Sequence, residues 1–277
     1  MSNALYENIN KATYDFPHME FNSQNLTYIS HFHNEIEIAY LVKGYSTVFC
    51  DNRKIDASEG DLFIFMPGQI HSFLSTEPNL YYIFKLRCEN DADGTDFSTL
   101  RTANMPIDRN CGLYRKLIDN INESKEEFER NNIGNAYFIN SLANRMVGDI
   151  LRYGNISVIE EKEDIKTKYN AELLAKVNAY ISDNYREKIV IADIAKHCRL
   201  SEYYFAHIFK EITGATFFDH LTVFRLERTI EVHMKTGKAL TDAAFECGFT
   251  NVRSFYRLFK KHYKVTPKEY ISKTKAK

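Results

Sequence analysis

Short apolar runs, cut by turn residues, fill the first third of the chain. Glu35 to Val42 (EIEIAYLV) alternates until Gly44 interrupts it, and Tyr45 to Cys50 (YSTVFC) ends at Asp51-Asn52. Gly60 to Met66 (GDLFIFM) stops at Pro67-Gly68, and Leu80 to Leu86 (LYYIFKL) closes the series. Alternation with period two puts successive side chains on opposite faces. These runs therefore predict short strands between Leu26 and Cys88, arranged as a small barrel or sandwich. Residues 1–25 have no clear period and read as an arm, and residues 89–106 read as loop.

The period then changes. Asp108 to about Arg130 is helical in texture, and Asn131-Asn132 breaks it. A second helix is predicted from about Gly134 to Tyr153, with Phe138, Leu142, Met146, Ile150 and Leu151 on one stripe. That stripe suits either a cover for the strands or a seam with a twin subunit, and the seam is the favoured expectation. Asn155 to Tyr169 is charged and poor in large apolar residues, as in a linker. From Ala171 onward the pattern is helical. Leu173, Leu174, Val177, Tyr180 and Ile181 mark the first stripe, and a long helix from about Thr216 to Lys235 ends at Thr236-Gly237. The expected organisation is a β unit with its arm over 1–106, a helical pair over 107–154, a linker over 155–169 and an all-helical unit over 170–277.

Inside the helical unit one pattern occurs twice. Asp193 to Lys210 (DIAKHCRLSEYYFAHIFK) is echoed by Asp242 to Lys260 (DAAFECGFTNVRSFYRLFK), offset by 49 residues up to Thr250 and by 50 afterwards. Each copy reads as a short helix, a tight turn and a longer helix. Phe205 and Phe209, like Phe255 and Phe259, stand four apart and share one buried face. Ser201 and either Thr250 or Asn251 are candidate caps of the longer helices. The faces left over carry Glu202, Tyr203, Ala206, His207 and Lys210 in the first copy and Arg253, Ser254, Arg257, Lys260 and Lys261 in the second. Arginine suits guanine edges in a major groove and lysine suits phosphate.

Charge sharpens this picture. The whole chain has a net charge of −1, but residues 171–277 hold 19 Lys and Arg against 12 Asp and Glu, a net of +7. A basic half on an otherwise acidic chain points to an anionic partner, nucleic acid first. The five cysteines (Cys50, Cys88, Cys111, Cys198 and Cys247) are scattered and lack a C-x-x-C spacing, which fits a reducing compartment. Cys198 and Cys247 occupy equivalent repeat positions and read as small core residues. No run is long and apolar enough for a membrane helix.

Residues 171–272 resemble the double helix-turn-helix domain of the AraC/XylS family of transcription regulators. The resemblance rests on Ile194, Ala195, Leu200, Ser201, Tyr204, Phe205, Phe209, Lys210, Thr213, Gly214, Arg225 and Leu226. It continues through Ala244, Gly248, Phe249, Ser254, Phe255, Arg257, Phe259, Lys260, Lys261, Thr266, Pro267 and Tyr270. It implies that Tyr203, Ala206 and His207, and then Arg253, Ser254 and Arg257, face bases in successive major grooves of double-stranded DNA. It also implies a cytoplasmic homodimer that works with RNA polymerase, with activation favoured over repression. Two departures stand out. Lys264 replaces the usual glycine before Thr-Pro, and Ala206 is short where a longer side chain reaches a base.

One further cluster lies in the β unit. His31, His33, Glu37 and Gly44 follow the spacing H-x-H-x3-E-x6-G, and Gly60 to His71 ends in P-G-x-x-H. These resemble the two cupin motifs, the second shortened. Three imidazoles and a carboxylate suit a divalent metal site with open positions, so a metal-dependent cupin enzyme is one reading. Beside a DNA reader the same motif resembles the family's sensor, a cupin-like β-barrel that holds a small effector. That implies no required cofactor and no catalysis, with His31, His33, Glu37 and His71 lining the effector pocket and a sugar the favoured effector. A divalent metal on the same four residues is the alternative. Phe63, Phe65, Tyr40 and Tyr82 fit pocket wall or core.

Overall fold

The computed structural model describes residues 17–75, 77–87, 96–102 and 104–274. Cys88, most of the arm and part of the loop expected at 89–106 lie outside them. In chain order the first strands are β1 (His18–Gln24), β2 (Tyr28–His31), β3 (Ile36–Lys43), β4 (Tyr45–Cys50), β5 (Arg53–Ser58), β6 (Leu62–Phe65), β7 (His71–Ser75) and β8 (Leu80–Leu86). They form two antiparallel sheets ordered β1-β8-β3-β6 and β2-β7-β4-β5. Among the described residues no ladder joins the sheets, so the expected barrel is a cupin-like sandwich of two facing sheets rather than a closed cylinder. The β4–β5 hairpin turns where Asp51-Asn52 predicted it. Both residues have positive φ, 45° and 64°, which a two-residue turn between twisted strands requires.

The alternation in β3 is covered on both sides. Ala39 and Leu41 join Val48, Cys50, Phe63, Phe65, Phe73 and Tyr81 between the sheets. Ile36 and Ile38 face the other way, with Leu62, Ile64, Phe84 and Leu86. That outer layer is closed by the helical pair, α1 (Gly112–Arg130) and α2 (Asn135–Tyr153), through Leu113, Leu117, Ile121, Met146 and Ile150. The stripe favoured as a dimer seam therefore covers a sheet of its own chain. Only its first member, Phe138, is exposed. Helix α1 starts later than Asp108, because Asp108 caps a turn and the Cys111 Sγ accepts from the Tyr114 N–H as the true N-cap. Phe63 and Phe65 are core, while Tyr40 and Tyr82 are half-buried against the helix-covered layer.

The expected linker is structured. Strand β9 (Leu100–Thr102) pairs with β10 (Ile156–Val158), and α3 (Glu161–Asn184) begins soon afterwards. Charged residues at 160–168 occupy the exposed first turns of that helix, where acidic Glu161, Glu163 and Asp164 complement the helix dipole. The rest is helical: α4 (Ile191–His197), α5 (Glu202–Thr213), α6 (Phe217–Thr236), α7 (Leu240–Glu246), α8 (Val252–Tyr263) and α9 (Pro267–Thr274).

The two repeat copies superimpose in their local chemistry. The Ser201 Oγ accepts from the Tyr204 N–H at 3.3 Å, and the Asn251 Oδ1 accepts from the Ser254 N–H at 2.7 Å. Thr250 is thus the extra residue, and it lengthens the second turn. Arg199 and Gly248 occupy the same turn position with φ of 58° and 87°. At Gly248 a Cβ would lie 2.6 Å from the Tyr185 carbonyl oxygen, so only glycine fits. Helix α5 ends at Gly214 and α8 at Lys264, both left-handed, at φ 70° and 61°. The non-glycine cap implied by the sequence is real. Phe205, Phe209, Phe255 and Phe259 are all buried, as is Cys247, while Cys198 is half-buried.

The β sandwich docks on the first copy. Ile29 and Ile70, with Phe32 beside them, join the core formed by Leu173, Val177, Ile181, Phe205 and Phe209. Phe209→Ala is expected to lower unfolding stability by about 3–5 kcal/mol in a denaturant titration, since its ring is fully enclosed. Gly248→Ala should cost at least about 2 kcal/mol through its left-handed φ and the Tyr185 contact. Equal stability in the latter variant would show that the turn can be rebuilt.

Candidate functional site

Three features of this fold can do chemistry or bind. The first is the pair of longer repeat helices. Tyr203, Ala206, His207 and Lys210 on α5 are exposed, as are Arg253, Arg257, Lys260 and Lys261 on α8, and Ser254 is half-exposed. Each helix buries its phenylalanine face and turns these residues outward, as the 3.6-residue period requires. Lys261 differs from the others, because its Nζ donates to the Asp219 Oδ1 at 2.8 Å and so ties α8 to the start of α6.

The second feature is the histidine cluster. His31 and His71 face each other across the β2–β7 pair, and Glu37 projects inward from β3. His33 lies beyond the end of β2, yet its ring still reaches the others. One ligand atom from each of His31, His33, Glu37 and His71 lies within 4.8 Å of the rest, and all four residues are buried. A carbonyl can only accept, so Nδ1–H donates in each ring: His31 to Ile29 O at 2.9 Å, His33 to Glu35 O at 3.1 Å and His71 to Gln69 O at 2.9 Å. The Nε2–H of His33 donates to Glu37 Oε2 at 3.0 Å, so this ring gives an N–H from each nitrogen, and the Nε2 of His71 is 3.6 Å from Glu37 Oε1. Burial pushes the Glu37 carboxyl up, but the Lys85 ammonium and the nearby His33 and His71 rings hold it well below the usual carboxylate range. Burial, reinforced by His71, pushes His31 well down, so its ring is neutral.

The donor set and spacing suit a divalent ion, with each imidazole oriented by a backbone carbonyl as metal-binding histidines usually are. Lys85 does not suit one. It sits opposite Glu37 in the β3–β8 register, is itself buried, and brings Nζ to 3.6 Å from Glu37 Oε2. Rings pack beside the cluster: Phe65 stacks on His71 at 4.0 Å, with Phe73 and Tyr81 behind it.

The third feature is a cavity of about 470 Å³ outside the sandwich, between β2, β4 and β7 on one side and α5, α6 and α8 on the other. Its walls mix hydroxyls (Thr47, Ser72, Thr216) with the Phe49 ring, and carry Asp219 and lysines 54, 210, 261 and 264. The His262 Nε2 on this wall is buried without a hydrogen-bond partner among the described residues, and burial depresses that histidine to about 4.

Residues 15–130 match the model of an AraC-like ligand binding domain, and residues 194–273 match that of a helix-turn-helix domain. The chain belongs to the AraC family of transcriptional regulators. The melibiose operon regulatory protein of Escherichia coli K12 is 21% identical, over 94% of this chain and 88% of its own. An uncharacterized HTH-type transcriptional regulator of Staphylococcus aureus is also 21% identical, over 86% of this chain, but the match spans only 31% of that relative's length. An apo variant of ToxT from Vibrio cholerae shares the fold, with a TM-score of 0.51 and 13% identity over 91% of this chain and 95% of that one. No helix among the described residues of this AraC-family regulator is long and apolar enough to cross a membrane.

Sequence reasoning found the reader helices and all four cluster residues. It missed Lys85, although a lysine inside the apolar run LYYIFKL was a visible signal. It also missed the cavity, whose walls come from segments as far apart in the chain as Thr27 and Lys264. Arg253→Ala and Arg257→Ala are each expected to relax sequence preference at particular base pairs, by about 1–3 kcal/mol, in competitive binding against an operator library. Lys260→Ala should instead weaken all sequences alike and lower the salt slope by about one.

Proposed function

We propose that this regulator senses a small molecule in the cavity between its sandwich and its reader, and alters DNA binding accordingly. The observation that carries the reading is the origin of the walls. Thr47, Phe49 and Ser72 belong to the sensor sheet, while Thr216, Asp219 and Val223 belong to the helix joining the two reader units. A ligand touching both sides has different contacts whenever the two parts shift, which is the condition for coupling. The volume falls in the range of small-molecule sites. In the sandwich interior, where the sequence placed the effector against His31, His33, Glu37 and His71, Phe65 stacks on His71 and Phe73 meets Phe65 edge-on.

A sugar remains the favoured class. Wall hydroxyls, Asp219 and the lysines supply the donors and acceptors a polyol needs, and the Phe49 ring supplies an apolar face. The melibiose-related name of one relative points the same way. The regulator acts in the cytoplasm by binding, not by turnover, on double-stranded DNA, and activates transcription through RNA polymerase. It does so as a homodimer joined at the α1–α2 corner, where Ile133, Tyr137 and Phe138 are exposed.

The test is DNA-binding anisotropy with a panel of mono- and disaccharides, melibiose included. An active sugar should change DNA affinity about 5–150-fold. Ser72→Trp, which fills the cavity, should keep basal DNA binding and lose that response; a full response in the filled variant overturns the site. Phe138→Asp should shift the protein to monomer in light scattering.

A further inference from the structure

We propose that Lys85 is the resident cation of the histidine cluster, standing where this ligand set would otherwise take a divalent metal. Glu37 and Lys85 are directly opposed on β3 and β8, so both side chains point into the sandwich from neighbouring strands. The Lys85 Nζ lies 3.6 Å from the Glu37 Oε2, the same oxygen that His33 Nε2 meets at 3.0 Å. A metal bound by this set must take a Glu37 oxygen at about 2.0–2.2 Å. It would then sit a few ångströms from an ammonium.

Water does not screen that repulsion. Lys85 is 7% exposed, Glu37 2%, and His31, His33 and His71 between 1% and 5%. The carboxylate inside the cluster is Glu37 alone. Glu35 approaches only from the rim, with an oxygen 3.7 Å from His33 Nδ1. Glu37 and Lys85 balance to zero, whereas a divalent ion added to them leaves two uncompensated positive charges in a low-dielectric interior. The three imidazoles keep the geometry of metal ligands, each held by a carbonyl. In this chain they surround an ion pair within one sheet, and His71 of the facing sheet reaches it at 3.6 Å. Such a pair works without any supply of metal.

The experiment uses the full chain, dialysed against EDTA and titrated with Co²⁺, whose d–d absorption reports nitrogen ligation. The wild type should show no saturable band. Lys85→Met, which keeps the length and removes the charge, should bind one Co²⁺ at least about a hundredfold more tightly than wild type, as loss of a like charge at that distance predicts. Adding His71→Ala to Lys85→Met should abolish the band, and Lys85→Arg should behave as wild type. Wild-type binding of one Co²⁺ within tenfold of the Lys85→Met affinity overturns the proposal, as does a Lys85→Met variant that folds and binds none. If Lys85→Met does not fold, thermal unfolding of the wild type decides. Coincident midpoints in EDTA and in excess Zn²⁺ support the resident lysine, and a midpoint raised by Zn²⁺ overturns it.

Discussion

Strand β2 is gripped from both sides, and much of the architecture depends on that grip. Its inner side places His31 beside His71 in the buried cluster. Its outer side supplies Ile29 to the core of the first reader unit. Its polar groups are spent on the same contact. The Ser30 Oγ donates to the Thr213 carbonyl at 3.1 Å, just before the α5 cap, and the Ser30 carbonyl accepts from Asn178 on α3 at 3.4 Å. Asn178 in turn accepts from His220 on α6 at 2.8 Å, and burial keeps that histidine neutral by pushing it down to about 3. Just before the strand, the Thr27 Oγ1 donates to the His262 carbonyl at the end of α8 at 2.8 Å. One four-residue strand thus touches the sensor interior and, through its flanks, both reader units.

The close fit has a further requirement. A Cβ on Gly214 would come within 2.4 Å of the Phe49 ring, so the left-handed cap of α5 is also a place where sensor and reader approach closely. Helix α8 of the second unit ends instead at Lys264, also left-handed but with a side chain that lines the cavity. The two copies have diverged according to their neighbours. The first is packed against the sandwich and carries a bare cap. The second carries a cation at the same cap, on the wall of the cavity that both copies line.

The sequence made the strands, the repeat and its caps legible because those depend on local rules. A period of two or 3.6 residues, a capping side chain three residues before an N–H, and a glycine at a left-handed turn are all written within a few positions. Boundaries were less secure where a turn mimicked a helix start, as at Asp108, whose carboxylate caps Asn110 rather than α1. The charged stretch at 155–169 was misleading for a related reason. Exposed helix turns and linkers have the same composition, and only the β9–β10 pairing and the cap at Glu160 distinguish them.

By itself the sequence determined that this is a two-part AraC-family regulator, which residues its reader helices turn outward, and which four side chains form the cluster. The tertiary structure decided what those surfaces meet. An apolar stripe encodes the need for a cover without naming it, so the α2 stripe suited a twin subunit, the favoured expectation, as well as the first sheet that it covers. Likewise no local pattern places Lys85 opposite Glu37, or Ser72 across a cavity from Asp219. Those proximities arise from strand register and domain docking, which join positions far apart in the chain and leave no periodic trace in it.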